Sequence, residues 1–191
     1  MNEVVQMFIS QVLGEAMQPR FSFSQSAPGA YSAMLGLEHY LHQCGLEKGL
    51  LGLIKVRVSQ MNGCAFCLDM HWKSLRLLGE SETRLFSLDA WRECPFYSDR
   101  ERAALAWAEA LTRITEGHAP DAVYEEVRHH FDQKELADLT LAVAAINAWN
   151  RVLISSRAIP GAYVPVKESG PEPEQAAGDQ ALLSRAGADS K

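Results

Sequence analysis

The sequence lacks any apolar run of about 18 residues, the length that a membrane-spanning helix requires. Its longest candidate, Leu139 to Ile146, soon meets Asn147, Asn150 and Arg151. Basic excess is also missing. Lys and Arg number 18 against 24 Asp and Glu, a net charge of −6. That weakly acidic balance argues against nucleic acid as the main partner, because phosphate binding needs a basic face. The opening MNEVVQMFISQVLGEAM has no basic leader and carries Glu3 early. Its Val5, Phe8, Ile9, Val12 and Ala16 fall at helical spacing, which predicts a packed helix rather than a signal peptide. The expectation is a cytoplasmic chain with no membrane partner. Cysteine is scarce: Cys44, Cys64, Cys67 and Cys94 are the only four. In a reducing compartment they would not form a structural disulfide framework. What remains is ordinary: 47% apolar, 22% charged and 8% aromatic over 191 residues. That excludes a disordered chain, and the length suffices to bury a core without staples.

The patterning predicts an all-α protein. Tyr31, Met34, Leu35, Leu41 and Cys44 keep a helical period that Gly45 stops. From Leu46 to Met61 the signal is divided. Ile54, Val56 and Val58 alternate with Lys55 and Arg57 as in a strand, whereas Leu50, Ile54, Val58 and Met61 fit a helix equally well. Asn62-Gly63 punctuates the chain, and another helix is expected from Cys64 to Leu78, before Gly79. Ser81 caps a short helix reaching Trp91, and Pro95 interrupts. Ser98 with Glu101 is a capping box opening a helix that Gly117 ends. Pro120-Asp121 opens another, to about Phe131. Asp132 with Glu135 is a second, looser box, starting a long helix to about Arg157. At 1.5 Å per residue its roughly 24 residues span about 36 Å. Its Ala-rich middle permits close helix contact, which places it at the centre of a bundle or at an interface. The expected organisation is one domain over residues 1–165 and a mobile tail over 166–191, where large apolar residues are few.

The chemistry concentrates in the segment SQMNGCAFCLDMH, residues 59–71. Cys64 and Cys67 are three apart, so in the first turn of a helix they face the same way and their sulfurs can join in a small ring. The positive end of the helix favours thiolate over thiol. His71 lies one turn beyond Cys67 on the same face, where an imidazole can take a proton from the thiol or stabilise its thiolate. A dithiol with a base is equipped for redox work: a thiolate attacks an oxidant, sulfenic acid forms, and the second thiol condenses on it. An external dithiol then resets the pair. Two alternatives stay open. The pair can be a chance feature of core packing. Cys64, Cys67 and His71 can also be three ligands of a metal whose fourth is Cys44, Cys94 or a distant His. Cys44 and Cys94 otherwise read as spectators, and His39 and His42 as surface residues. His129 and His130 read as partners of a helix C-terminus, and the four tryptophans as core or interface anchors.

This segment resembles the signature of the alkylhydroperoxidase D (AhpD) branch of the carboxymuconolactone decarboxylase superfamily. The blocks LDAWRE at residues 88–93, SDRERAALAWAEALTRI at 98–114 and AINAWNR at 145–151 resemble it too, so the likeness covers about residues 29–157. It implies an AhpD-like helical bundle with the cysteines at the start of a helix in a central hairpin, and stretch 46–61 helical. It implies a homo-oligomer, trimer or hexamer, and a thiol-dependent hydroperoxide reductase serving antioxidant defence. No bound cofactor is implied; the partners are a hydroperoxide and a lipoyl-type or thioredoxin-like dithiol reductant. Cys67 would be peroxidatic, Cys64 resolving and His71 part of the proton relay. The helix dipole by itself favours Cys64 as the more acidic thiol, while the spacing to His71 favours Cys67.

Two positions depart from the peroxidase pattern. The family's glutamate twelve residues before the first cysteine is here Gly52, and its histidine before the second cysteine is Phe66. Glu38 and Glu47 are nearby acids, neither at the family position. A cytosolic dithiol–disulfide exchanger or redox sensor with little peroxidase turnover is therefore the alternative.

Overall fold

A computed structural model describes residues 17–166; nearly all of the helix expected at the N-terminus, and the tail expected over 166–191 apart from residue 166, lie outside them. Eight α-helices account for most of the described chain, and no strand occurs among the described residues. They are α1 (Phe23–Ser26), α2 (Pro28–Gln43), α3 (Lys48–Asn62), α4 (Ala65–Leu77), α5 (Glu82–Ser87), α6 (Asp99–Thr112), α7 (Asp121–Arg128) and α8 (Gln133–Ser156). No helix among them is long and apolar enough to cross a membrane.

The stretch with divided periodicity is helix α3, and its surroundings explain the ambiguity. Leu50, Leu51, Leu53, Ile54, Val56 and Val58 are all buried, so they cover most of the helix circumference. A helix packed on several sides has no single apolar stripe and can mimic alternation. It packs against α4, α6 and α8. Helix α8 also reaches α2, α4 and α7, which puts it at the centre of the bundle. Its Leu139, Val143, Ile146 and Asn150 form one inward row.

Both capping boxes form. Ser98 and Glu101 satisfy each other's backbone amides at the start of α6, and Asp132 and Glu135 do so at α8. The short helix beginning at Ser81 differs from expectation. It is α-helical only through Ser87, then tightens into a 3-10 segment, Leu88–Glu93, that kinks at Ala90. Burial of Leu88 and Trp91 on the core sets that path. The helix opened by Asp121 ends at Arg128, before the expected Phe131.

The α3–α4 turn positions the cysteines. Gly63 adopts φ +70°, a left-handed conformation that glycine takes without steric cost. Its N–H donates to Gln60 O at 3.2 Å, and the Cys64 N–H donates to Ser59 O at 3.0 Å. This double closure ends α3 and delivers Cys64 directly as the N-cap of α4.

Candidate active site

Cys64 and Cys67 are joined by a disulfide, with Cα atoms 5.3 Å apart. Cys64 Sγ also accepts the Cys67 backbone N–H at 3.4 Å, the ordinary role of a capping side chain. Both residues are almost fully buried, at 1% and 0% exposure. The turn before them is pinned by amides. Asn62 Nδ2 donates to Asn150 Oδ1 at 2.8 Å and to Asn147 Oδ1 at 3.0 Å. Asn150, fully buried, donates in turn to Ser59 Oγ at 3.1 Å. Helix α8 therefore clamps the end of α3 from which Gly63 and Cys64 depart. A cavity of about 390 Å³ opens beside this clamp, lined by Arg20, Asn62, Asn150, Arg151, Ile154 and Ser155.

His71 stands one turn beyond Cys67 on α4, as the spacing predicts. Burial pushes its imidazole from the ordinary value down to about 3, and the positive charge of Lys55 acts in the same direction. The ring is therefore neutral at physiological pH.

Of the two positions that depart from the peroxidase pattern, Gly52 has a structural explanation. An ideal Cβ at Gly52 would fall 2.4 Å from Leu75 Cδ2 and 2.8 Å from its Cγ. The space an acid would need is filled by a leucine of α4. Phe66 is partly buried against the core. Of the two other acids, Glu47 turns away, pairing with Arg100 at 3.1 Å. Glu38 does enter the neighbourhood. Its Oε2 pairs with Lys55 Nζ at 2.5 Å, and its Oε1 accepts from Trp149 Nε1 at 3.0 Å.

Lys55 is the residue that sequence reasoning missed. It enters the sequence pattern only as a charge alternating with apolar neighbours, yet its side chain is only 17% exposed. Nothing in the linear pattern signals that Glu38, seventeen positions earlier, folds onto it. The remaining residues fall elsewhere. Cys44 is buried and Cys94 partly buried, both as free thiols. His39 meets Gln43 at 3.2 Å, and His130 meets Glu126 at 3.3 Å on the surface. Among the described residues, no three His, Cys, Asp or Glu side chains cluster in a way that could hold a metal ion. Trp91 and Trp107 are buried, whereas Trp72 and Trp149 are half-buried.

A second polar cluster braces α3. Buried Glu109 of α6 accepts from Arg57 Nε at 2.7 Å, Trp91 Nε1 at 2.9 Å and Arg92 Nη1 at 2.5 Å. Arg57 also pairs with Asp89. This network ties α3, α6 and the LDAWRE block together.

Comparison with known proteins agrees with this architecture. Residues 28–110 match the model of the carboxymuconolactone decarboxylase family. YdfG of Bacillus subtilis strain 168, an uncharacterized protein, is 45% identical over 139 residues, covering 73% of this chain and 95% of YdfG. The crystal structure of ATU0492 from Agrobacterium tumefaciens superimposes with a TM-score of 0.74 at 41% identity, over 76% of this chain and all of that one. ATU0492 is a protein of unknown function named as a candidate antioxidant defence protein AhpD. The AhpD core of an uncharacterized peroxidase-related protein from Ralstonia eutropha JMP134 shares the fold, with a TM-score of 0.66 at 21% identity, over 85% of this chain and 87% of that one. With its Cys-x-x-Cys pair at the head of α4 in an all-helical frame, the chain belongs to the carboxymuconolactone decarboxylase family, on its AhpD-like branch.

Proposed function

We propose that the protein is a thiol-dependent hydroperoxide reductase. The observation that carries this reading is the Cys64–Cys67 disulfide at the head of α4, with His71 on the next turn. The name of ATU0492 points the same way. In the reduced protein the Cys67 thiolate attacks the terminal oxygen of the hydroperoxide. The O–O bond breaks, the alkoxide takes a proton and leaves as an alcohol, and Cys67 becomes a sulfenic acid. The Cys64 thiol then displaces hydroxide, which leaves as water, and the disulfide forms. An external dithiol of lipoyl or thioredoxin type returns two electrons and two protons. His71, kept neutral, carries a donor and an acceptor nitrogen at once, which suits it to pass a proton rather than to hold a charge. The reading needs no bound cofactor, and it places the enzyme in the cytoplasm as a homo-oligomer.

A second reading has its own observation. The position of the family acid is packed shut by Leu75. A chain without that acid can keep dithiol exchange or redox sensing and lose rapid peroxide turnover. Peroxide consumption with a dithiol reductant, in wild type, Cys67→Ser and Cys64→Ser, separates the two. Turnover in wild type and its loss in both variants supports the reductase. Formation of the Cys64–Cys67 disulfide without turnover supports the exchanger. Unchanged activity in Cys67→Ser sinks both.

A further inference from the structure

The dithiol reading leaves a question of charge. The N-terminus of α4 favours a thiolate at Cys67, and a neutral His71 adds no positive charge to it. The packing of α3 on α4 shows where a cation is. The two helices run antiparallel, and Gly52 meets Leu75. One turn from that contact towards the hairpin tip are Lys55 on α3 and His71 on α4, and the charge of Lys55 acts on the His71 imidazole. One turn further along α4 is Cys67. One turn along α4 is a helical pitch of about 5.4 Å.

Lys55 is not an ordinary surface lysine. Its ammonium is held by Glu38 of α2 at 2.5 Å, and Glu38 is fixed from its other oxygen by Trp149 of α8 at 3.0 Å. Trp149 is itself wedged against Phe23 and Tyr31 at centroid distances of 6.5 and 5.9 Å. Groups from α2, α3 and α8 therefore converge to fix one ion pair, with side chains 17% and 26% exposed. Placing two charges in a half-desolvated position is costly for stability alone. The same partial desolvation lengthens the reach of the charge. The other charges of α4 nearby are already engaged. Asp69 and Lys73 pair at 2.8 Å, and Lys73 also donates to the carbonyls of Gly161 and Tyr163. Arg57, two residues along α3, is committed to Glu109 and Asp89. The neighbours that α8 brings, Trp149 and Asn150, are neutral.

We propose that Lys55 is the electrostatic partner of the thiol site, stabilising the Cys67 thiolate in the reduced protein, and that Glu38, as its counter-charge, tempers that effect. This rests on the dithiol reading and names the group that activates the thiol. The carboxylate, lysine and imidazole then divide the work. Glu38 tempers the charge, Lys55 supplies it, and His71 passes the proton.

The test is the thiol titration itself. The absorbance of thiolate at 240 nm is followed against pH in the fully reduced protein, and a Cys67→Ser sample is subtracted to isolate Cys67. Lys55→Met is expected to raise the apparent pKa of Cys67 by about 1, a tenfold loss of thiolate at neutral pH. Glu38→Gln is expected to move it down, because the lysine loses its counter-charge. Lys55→Arg keeps the charge and is expected to hold the wild-type profile. A merely structural pair predicts a different pattern, with Lys55→Met and Glu38→Gln shifting the profile the same way and Lys55→Arg failing to rescue it. That pattern, or an unchanged profile in Lys55→Met, overturns the proposal. Peroxide consumption is read on the same samples. The three expected shifts without turnover in wild type would uphold the role of Lys55 while removing the peroxidase reading.

Discussion

Leu75 occupies the space that a side chain at residue 52 would need: an ideal Cβ on Gly52 would lie 2.4 Å from Leu75 Cδ2. The contact lets α3 and α4 approach closely at the level just behind His71. Leu75 is itself 1% exposed, so it has little room to yield. Gly52→Ala is therefore expected to destabilise the protein by about 1–3 kcal/mol through overpacking. Urea denaturation checks this. The double variant Gly52→Ala/Leu75→Ala should cost less than the sum of the two single changes, because the truncated leucine opens space for the new methyl. Additive costs would show that the contact does not constrain the hairpin. Gly52→Glu is expected to lower stability further and not to raise turnover.

The titration of His71 links the site to stability. Its folded value is lowered to about 3, whereas the unfolded chain has the ordinary value of 6.5. Above pH 6.5 neither state binds the proton, and the contribution is fully present. As pH falls from 6.5 towards 3, the unfolded state gains a proton that the folded state refuses. Stability then drops by up to about 1.4 kcal/mol per pH unit from this residue. His71→Asn should flatten the dependence of the urea midpoint on pH between 7 and 4. An unchanged slope in that variant would mean that the ring titrates freely in the folded protein.

Glu109 makes a separate acid-sensitive element. Burial raises its carboxyl pKa, but hydrogen bonds from Trp91, Arg92 and Arg57 outweigh that effect and hold it below the ordinary value. Its contribution is present above the unfolded carboxylate pKa and is lost as pH falls through the lower folded value. Glu109→Gln would leave Arg57, itself 6% exposed, without its main buried counter-charge. The expected cost is about 3–5 kcal/mol at neutral pH, read from the urea midpoint. A loss below about 1 kcal/mol would show that Asp89 alone satisfies Arg57.

Much of this molecule was readable along the chain. Gly63, the boxes at Ser98–Glu101 and Asp132–Glu135, and the spacing of Cys64, Cys67 and His71 act within about two turns of backbone, so their geometry follows from local sequence. Helix α3 was harder, because burial on several sides erases the single apolar stripe on which periodicity depends. The kink at Ala90 was also hidden, since it follows from where Leu88 and Trp91 find the core.

By itself, the sequence determined the local chemistry: a dithiol at a helix N-terminus, a histidine one turn on, and a glycine that turns one helix into the next. Short-range sterics and hydrogen bonding suffice for that. Only the tertiary structure decided the electrostatics of the site. The closure of the space at residue 52 by Leu75, the pairing of Lys55 with Glu38 and the anchoring of Glu38 by Trp149 join residues 17 to 111 positions apart. Burial, which pushes the His71 imidazole to neutrality, is likewise a property of the packed bundle rather than of any segment.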